Sequence, residues 1–169
     1  MDTISMNQSD KSDDAEVPHV RSIERLGNET TVQYLERLKD LGYLFHGSPK
    51  DTITELEPRT SHDPHSKENT DTAVFATNNP TWTVIFGLYD RGKTWKTSGI
   101  ERNIIASIPE EAKEQLKHAV GTVYVLSPET FSESTHLEQY KSYKPVKPIQ
   151  KISVTLDDFY ELGGKVEWI

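Results

Sequence analysis

His46 and Gly47, in the run YLFHGSPKD from Tyr43 to Asp51, are the pair whose types and adjacency point most directly to chemistry. An imidazole at a strand end can donate or accept a hydrogen bond, and a glycine beside it bares backbone N–H and C=O groups to a close, flat partner. The two features suit a ribose hydroxyl and a carboxamide respectively. The competing reading is a half-buried structural histidine in an ordinary turn, and these few residues alone favour it.

His62 and His65, three apart with Asp63 between them, have side chains able to ligate a metal. Pro64 prevents a regular helix there and no third ligand is evident, so no metal site is expected. Gly87, Gly92 and Gly99 do not form a phosphate loop, since no Gly-rich turn opens a helix with Lys-Ser or Lys-Thr, and there is no Gly-x-Ser-x-Gly elbow. Lys141, Lys144, Lys147 and Lys151 are close enough in sequence to attract a phosphorylated ligand. The preferred reading is a strand edge guarded by lysines and prolines against sheet-to-sheet association.

The elements that must position these residues follow from the pattern. Residues 1–17 are polar and acidic, too poor in apolar side chains to offset the entropy of ordering, and are expected to form a disordered tail ahead of a single domain over 18–169. Thr30 and Gln33 have capping-box spacing, Val32, Leu35, Leu38 and Leu41 repeat at i+3, and Gly42 stands at a helix stop. A strand over Tyr43 to His46 follows, ending at Gly47 and Pro49. The polar segment from Pro58 to Thr70 reads as a long loop.

TAVFAT, Thr72 to Thr77, is a strand, and Asn79-Pro80 is an N-cap followed by proline at the first helical position. Trp82, Ile85, Phe86 and Tyr89 share a face of that helix and are expected to pack inward. Strands are predicted over Asn103 to Ile108 and Gly121 to Leu126, with the short helix PEEAKEQLKH between them. EQYKSYKPV and IQKISVTL read as extended segments. Thr155 with Asp158 caps a last helix that stops at Gly163 and Gly164, before a closing strand in KVEWI. This mixed order argues for an α+β fold over a doubly wound sheet.

Composition bounds the function. With 27 acidic and 19 basic residues the net charge is −8, which argues against nucleic acid as a partner without excluding local recognition. There are no cysteines, hence no disulfide, thiolate site or cysteine nucleophile. No membrane-spanning run or signal peptide is evident, and a cytoplasmic protein is expected.

Taken together, YLFHGS, AVFATNNPTWTVIFGL and EQYKSYKPVKPIQKISVTLDDF resemble, in that order, the ADP-ribosyltransferase superfamily, in particular the branch related to the poly-ADP-ribose polymerases. The resemblance spans most of Tyr43 to Phe159. It implies a split pair of small β-sheets with flanking helices, and NAD as substrate or ligand lying across the cleft. His46 would then bond the adenosine-side ribose and Gly47 would hold the nicotinamide amide, with Ser48 just behind.

Phe75 and Phe86 would flank the nicotinamide, with Thr77 at the end of the Phe75 strand and Thr81 or Thr83 as the small hydroxyl. Val74 stands where a tyrosine is usual. The family's glutamate bonds the nicotinamide ribose and stabilises charge as nicotinamide leaves. Here Gln139 takes that position and Glu138 precedes it, so strand alternation would point Glu138 to the opposite face unless a bulge returns it. The resemblance thus implies either transfer of a single ADP-ribose from NAD to a macromolecule, carried by Glu138 or Gln139, or a catalytically impaired module. Such a module would bind NAD or a related nucleotide, or a protein partner.

Overall fold

A computed structural model describes residues 23–60, 71–88, 96–134 and 138–169. The polar tail expected over residues 1–17, His62 and His65, and Tyr89 lie outside the described residues. A contact boundary falls between Thr30 and Thr31. Before it, Glu29 accepts a side-chain hydrogen bond from the Leu26 N–H at 3.1 Å, and its carbonyl accepts one from Arg25 Nε at 3.2 Å.

After the boundary, α1 (Thr31–Asp40) buries Val32, Tyr34, Leu35 and Leu38. Leu41 does not extend that stripe. It lies past the last turn and is exposed, because the chain turns at Gly42 with φ +93°. The Tyr43 and Gly42 N–H groups return to the Leu38 and Lys39 carbonyls, a Schellman stop that requires glycine's left-handed backbone.

The strands are β1 (Leu44–Ser48), β2 (Arg59–Thr60), β3 (Thr72–Thr77), β4 (Lys96–Ile100), β5 (Asn103–Ile108), β6 (Gly121–Leu126), β7 (Ser132–Glu133), β8 (Gln139–Ser142), β9 (Gln150–Val154) and β10 (Lys165–Trp168). The helices besides α1 are α2 (Pro80–Leu88), α3 (Lys113–His118) and α4 (Leu156–Glu161), with a 3-10 turn at Glu110–Ala112. The fold is α+β, and the described residues form two sheets and four α-helices. The larger sheet runs β7-β8-β3-β1-β6-β9, with β2 attached to β3, and the smaller runs β10-β5-β4 with β10 parallel to β5.

Each face of the large sheet has its own cover. Leu44, Val74, Ala76, Tyr124 and Leu126 form one buried layer with Leu56 and Val146, which pair with each other through backbone bonds of 2.8 and 2.9 Å. Tyr124 also pins the chain after β1, donating to the Lys50 carbonyl at 2.6 Å and accepting from the Ile53 N–H at 3.1 Å. The opposite face of β1 and β6 lies against α2, whose Val84, Ile85 and Leu88 are buried. The capping box that starts α4 forms as predicted, with the Asp158 carboxylate accepting from the Thr155 N–H at 2.8 Å.

Candidate functional site

The three motif strands lie side by side in the order β8, β3, β1. β1 and β3 pair at one position, Phe45 opposite Thr77, and the His46 imidazole links them beyond it: Nδ1 lies 2.8 Å from the Phe75 carbonyl oxygen. A carbonyl only accepts, so Nδ1 carries a proton and donates. His46 stands opposite Tyr124, on the face away from α2.

Gly47 does not end the strand. β1 continues through Ser48, and Gly47 is a buried residue inside it. Its lack of a side chain is explained by α2: a β-carbon there would run into the Thr83 carbonyl oxygen and come within 2.8 Å of the Gly87 nitrogen and 3.2 Å of Phe86 Cβ. Gly121 on β6 is constrained in the same way, since its β-carbon would meet the Gly87 carbonyl. Gly47, Gly87 and Gly121 thus form a bare contact on which helix and sheet backbones meet.

On α2 the expected inward face of Trp82, Ile85 and Phe86 is corrected. Ile85 is fully buried, but Phe86 is 40% exposed and stacks on Trp82 with ring centroids 5.4 Å apart. The helix is apolar nearly all round, so periodicity alone could not choose the buried side. Of the expected hydroxyls, Thr83 Oγ1 is buried and donates to the Asn79 carbonyl, and Thr81 Oγ1 lies 3.4 Å from the Leu162 carbonyl. Ser48 and Thr77 each accept a backbone N–H two residues on, from Lys50 and Asn79. These hydroxyls shape turns and helix ends.

Glu138 and Gln139 separate for a reason that strand alternation does not supply. Glu138 lies before β8 in a left-handed conformation, φ +65°. Its carboxylate accepts from Asn79 Nδ2 at 2.8 Å and from the Glu101 N–H at 2.9 Å. Asn79 Nδ2 also donates to the Glu101 carbonyl at 2.7 Å, and Asn79 Oδ1 caps α2 by accepting from the Thr81 N–H. Glu101, in the β4–β5 turn, is itself left-handed at φ +55°. One carboxylate therefore ties together the start of β8, the first turn of α2 and the hairpin of the small sheet. Two non-glycine residues at positive φ mark the knot as locally strained.

Gln139 stands opposite Thr77, and its Oε1 accepts from Ser134 Oγ at 3.0 Å. Phe45, Thr77 and Gln139 are successive cross-strand partners, so Gly47, Phe75 and Lys141, two residues along each strand, share their face. That is the α2 side. The structure thus brings Gly47, Phe75, Thr77, Phe86 and Gln139 to one side of the sheet, and leaves His46 and Ser48 on the other.

Lys141 is the residue that sequence reasoning placed among the edge lysines. β8 is an interior strand, and the Lys141 side chain is only 12% exposed. Its ammonium sits over the Phe75 ring, 5.8 Å from the centroid, and 3.6 Å from Asp71 Oδ2. The Tyr143 hydroxyl donates to that oxygen at 2.7 Å and, followed by Lys141, holds the Asp71 carboxyl below its ordinary value. Lys151, by contrast, is exposed on the edge strand β9 and donates to the Asp51 carbonyl, as the edge reading requires.

A small polar cleft of about 120 Å³ opens beside the Glu138 knot, lined by α1, the first turn of α2 and the Glu101–Arg102 turn, where Arg102 pairs with Glu36. Its size is well short of the several hundred Å³ that organic ligands occupy. Among the described residues no cluster of three or more metal-ligating side chains occurs and no helix is long and apolar enough to cross a membrane. Asn79 and Glu101 were missed as site-shaping residues. Asn79-Pro80 was legible as a cap, but its bonding partner Glu138 lies 59 residues further along the chain. No family model, curated protein or solved structure matches the chain.

Proposed function

We propose that this protein is a nucleotide-binding module of ADP-ribosyltransferase-like build, with NAD or a related nucleotide as ligand and little or no transfer of ADP-ribose. The carrying observation is the fate of the two candidate acids. The Glu138 carboxylate is engaged by Asn79 and the Glu101 backbone, and the neutral Gln139 shares the face of Phe75 and Gly47. An amide does not supply the negative charge that steadies a developing oxocarbenium ion, and loss of such a group costs about 10² to 10³ in rate.

The second reading, a mono-ADP-ribosyltransferase, draws on the adjacency of the three motif strands and on the anchoring of His46 by the Phe75 carbonyl. The two separate in one experiment: calorimetric titration with NAD alongside an assay of nicotinamide release, for the wild type, His46→Ala and Gln139→Glu. The module reading expects binding to the wild type; its retention in His46→Ala would place the ligand on the Phe75 and Gln139 face, and its loss would place it on the opposite one. It expects no release by the wild type and new release by Gln139→Glu. Wild-type turnover would establish the enzyme instead, and absence of nucleotide binding would overturn both.

A further inference from the structure

We propose that β4, with the Glu101–Arg102 turn that follows it, is a lid on the small polar cleft: a strand held shut by a polar clasp at its end and able to open without unfolding the domain. β4 is an edge strand of the small sheet, and its ladder partner is β5. β5 is anchored in the core, with Ile104, Ala106 and Ile108 fully buried. The residues of β4 opposite Ala106 and Ile104 are Thr97 and Gly99, so on the inward face β4 contributes one half-buried threonine and no apolar side chain. On the other face Lys96, Ser98 and Ile100 are exposed. Lifting β4 removes little apolar surface of its own from burial, so the hydrophobic core does not hold it.

What holds it is at the turn. The Glu101 N–H donates to the Glu138 carboxylate at 2.9 Å, and the Glu101 carbonyl accepts from Asn79 Nδ2 at 2.7 Å. The Arg102 guanidinium pairs with Glu36 on α1, the two side chains being 65% and 35% exposed. The Arg102 carbonyl rests against Gly163, where a β-carbon would come within 2.9 Å of that oxygen. Water can replace these polar bonds at modest cost. Opening also releases the left-handed conformation of Glu101, φ +55°, which a non-glycine residue adopts only under constraint. The clasp is thus a set of exchangeable bonds closing on a strained turn, the balance from which local opening arises.

Glu101 and Arg102 form one wall of the cleft of about 120 Å³, and α1, the first turn of α2 and Leu162 form the rest. When the turn lifts, that wall leaves with it. The cleft then becomes a groove along α1 that reaches the buried Asn79 and Thr81 side chains. The small volume is that of the cleft with its lid down.

The test is native-state hydrogen exchange of the full chain, followed by NMR in urea below the unfolding transition. The amides of β4 that bond to β5 are expected to exchange at least about a hundredfold faster than those of β6, at rates nearly independent of urea, whereas β6 exchange follows the global unfolding slope. Glu138→Ala is expected to speed β4 exchange about fivefold and to keep its flat urea dependence. β4 amides that match β6 in rate and urea slope would mean that the strand leaves only with the whole domain, which overturns the inference. Protection rising steadily from Lys96 to Ile100 would mean fraying from the start of the strand, and unchanged β4 exchange in Glu138→Ala would mean that the clasp does not hold it; either result overturns the inference as well. If Glu138→Ala does not fold, the wild-type rates and their urea slope decide alone.

Discussion

One face of the large sheet has two halves that differ in how they meet the rest of the molecule. Over β1 and β6 the helix α2 rests on backbone, because Gly47, Gly87 and Gly121 supply no side chains to hold it off. On β3 and β8 the same face carries Phe75, Thr77, Gln139 and Lys141, none of them fully buried. Close approach on the first half fixes where the helix must run. The second half carries the polar and aromatic groups that the proposed nucleotide would meet. Rigidity and access are thus provided by different strands, consistent with the general need to mount a site on a firmly packed element.

The largest test of this division is Gly121→Ala, whose methyl group would press on the Gly87 backbone and displace α2. A loss of about 3 kcal/mol is expected, the upper end for overpacking, read as a lowered urea midpoint. An unchanged midpoint would mean that the bare contact does not hold the helix. Next is Glu138→Ala, which deprives Asn79 Nδ2 and the Glu101 N–H of their shared acceptor. It should destabilise by about 1 kcal/mol, since the buried Asn79 amide loses one acceptor while the exposed Glu101 N–H can turn to solvent, with Glu138→Gln intermediate. Were Glu138 instead a cleft carboxylate, Glu138→Ala would leave the urea midpoint in place and change only nucleotide binding.

The smallest effect belongs to the open half. Tyr143 holds the Asp71 carboxyl below its ordinary pKa of 3.8, so this contact stabilises the fold above that pH and ceases to do so as pH falls through the lowered folded value. Tyr143→Phe should therefore melt slightly below wild type at neutral pH, and the difference should close as the solution is acidified past 3.8. A gap that stays constant into acid would assign the effect of Tyr143 to packing and not to its bond with Asp71.

Much of the framework was legible in local pattern. The strands Thr72–Thr77, Asn103–Ile108 and Gly121–Leu126 coincide with their apolar runs, and the Thr155–Asp158 capping box reads from its spacing. Local pattern failed where the deciding partner is remote. Gly47 looked like a strand end, but the residues that demand it are Thr83, Phe86 and Gly87. Phe86 looked inward-facing because α2 offers apolar side chains in nearly every direction. Glu138 could not be placed by counting along a strand, since it precedes β8 in a left-handed turn held by Asn79 and Glu101. β4 has no apolar alternation and is exposed along most of its length, so its pairing with β5 left no trace in the sequence.

The order of strands in the large sheet also bears on how the chain reaches its native state. β1 pairs along its full length with β6, so Phe45 meets Val125 only after the whole intervening chain has been drawn into a loop. Closing so long a loop costs entropy before any contact compensates for it. A sheet whose central partners are this remote acquires its topology late, and folds more slowly than a chain of equal length built from neighbouring helices. During that interval the apolar run of β6, buried at every position in the finished fold, is the segment most in need of protection from other copies of itself.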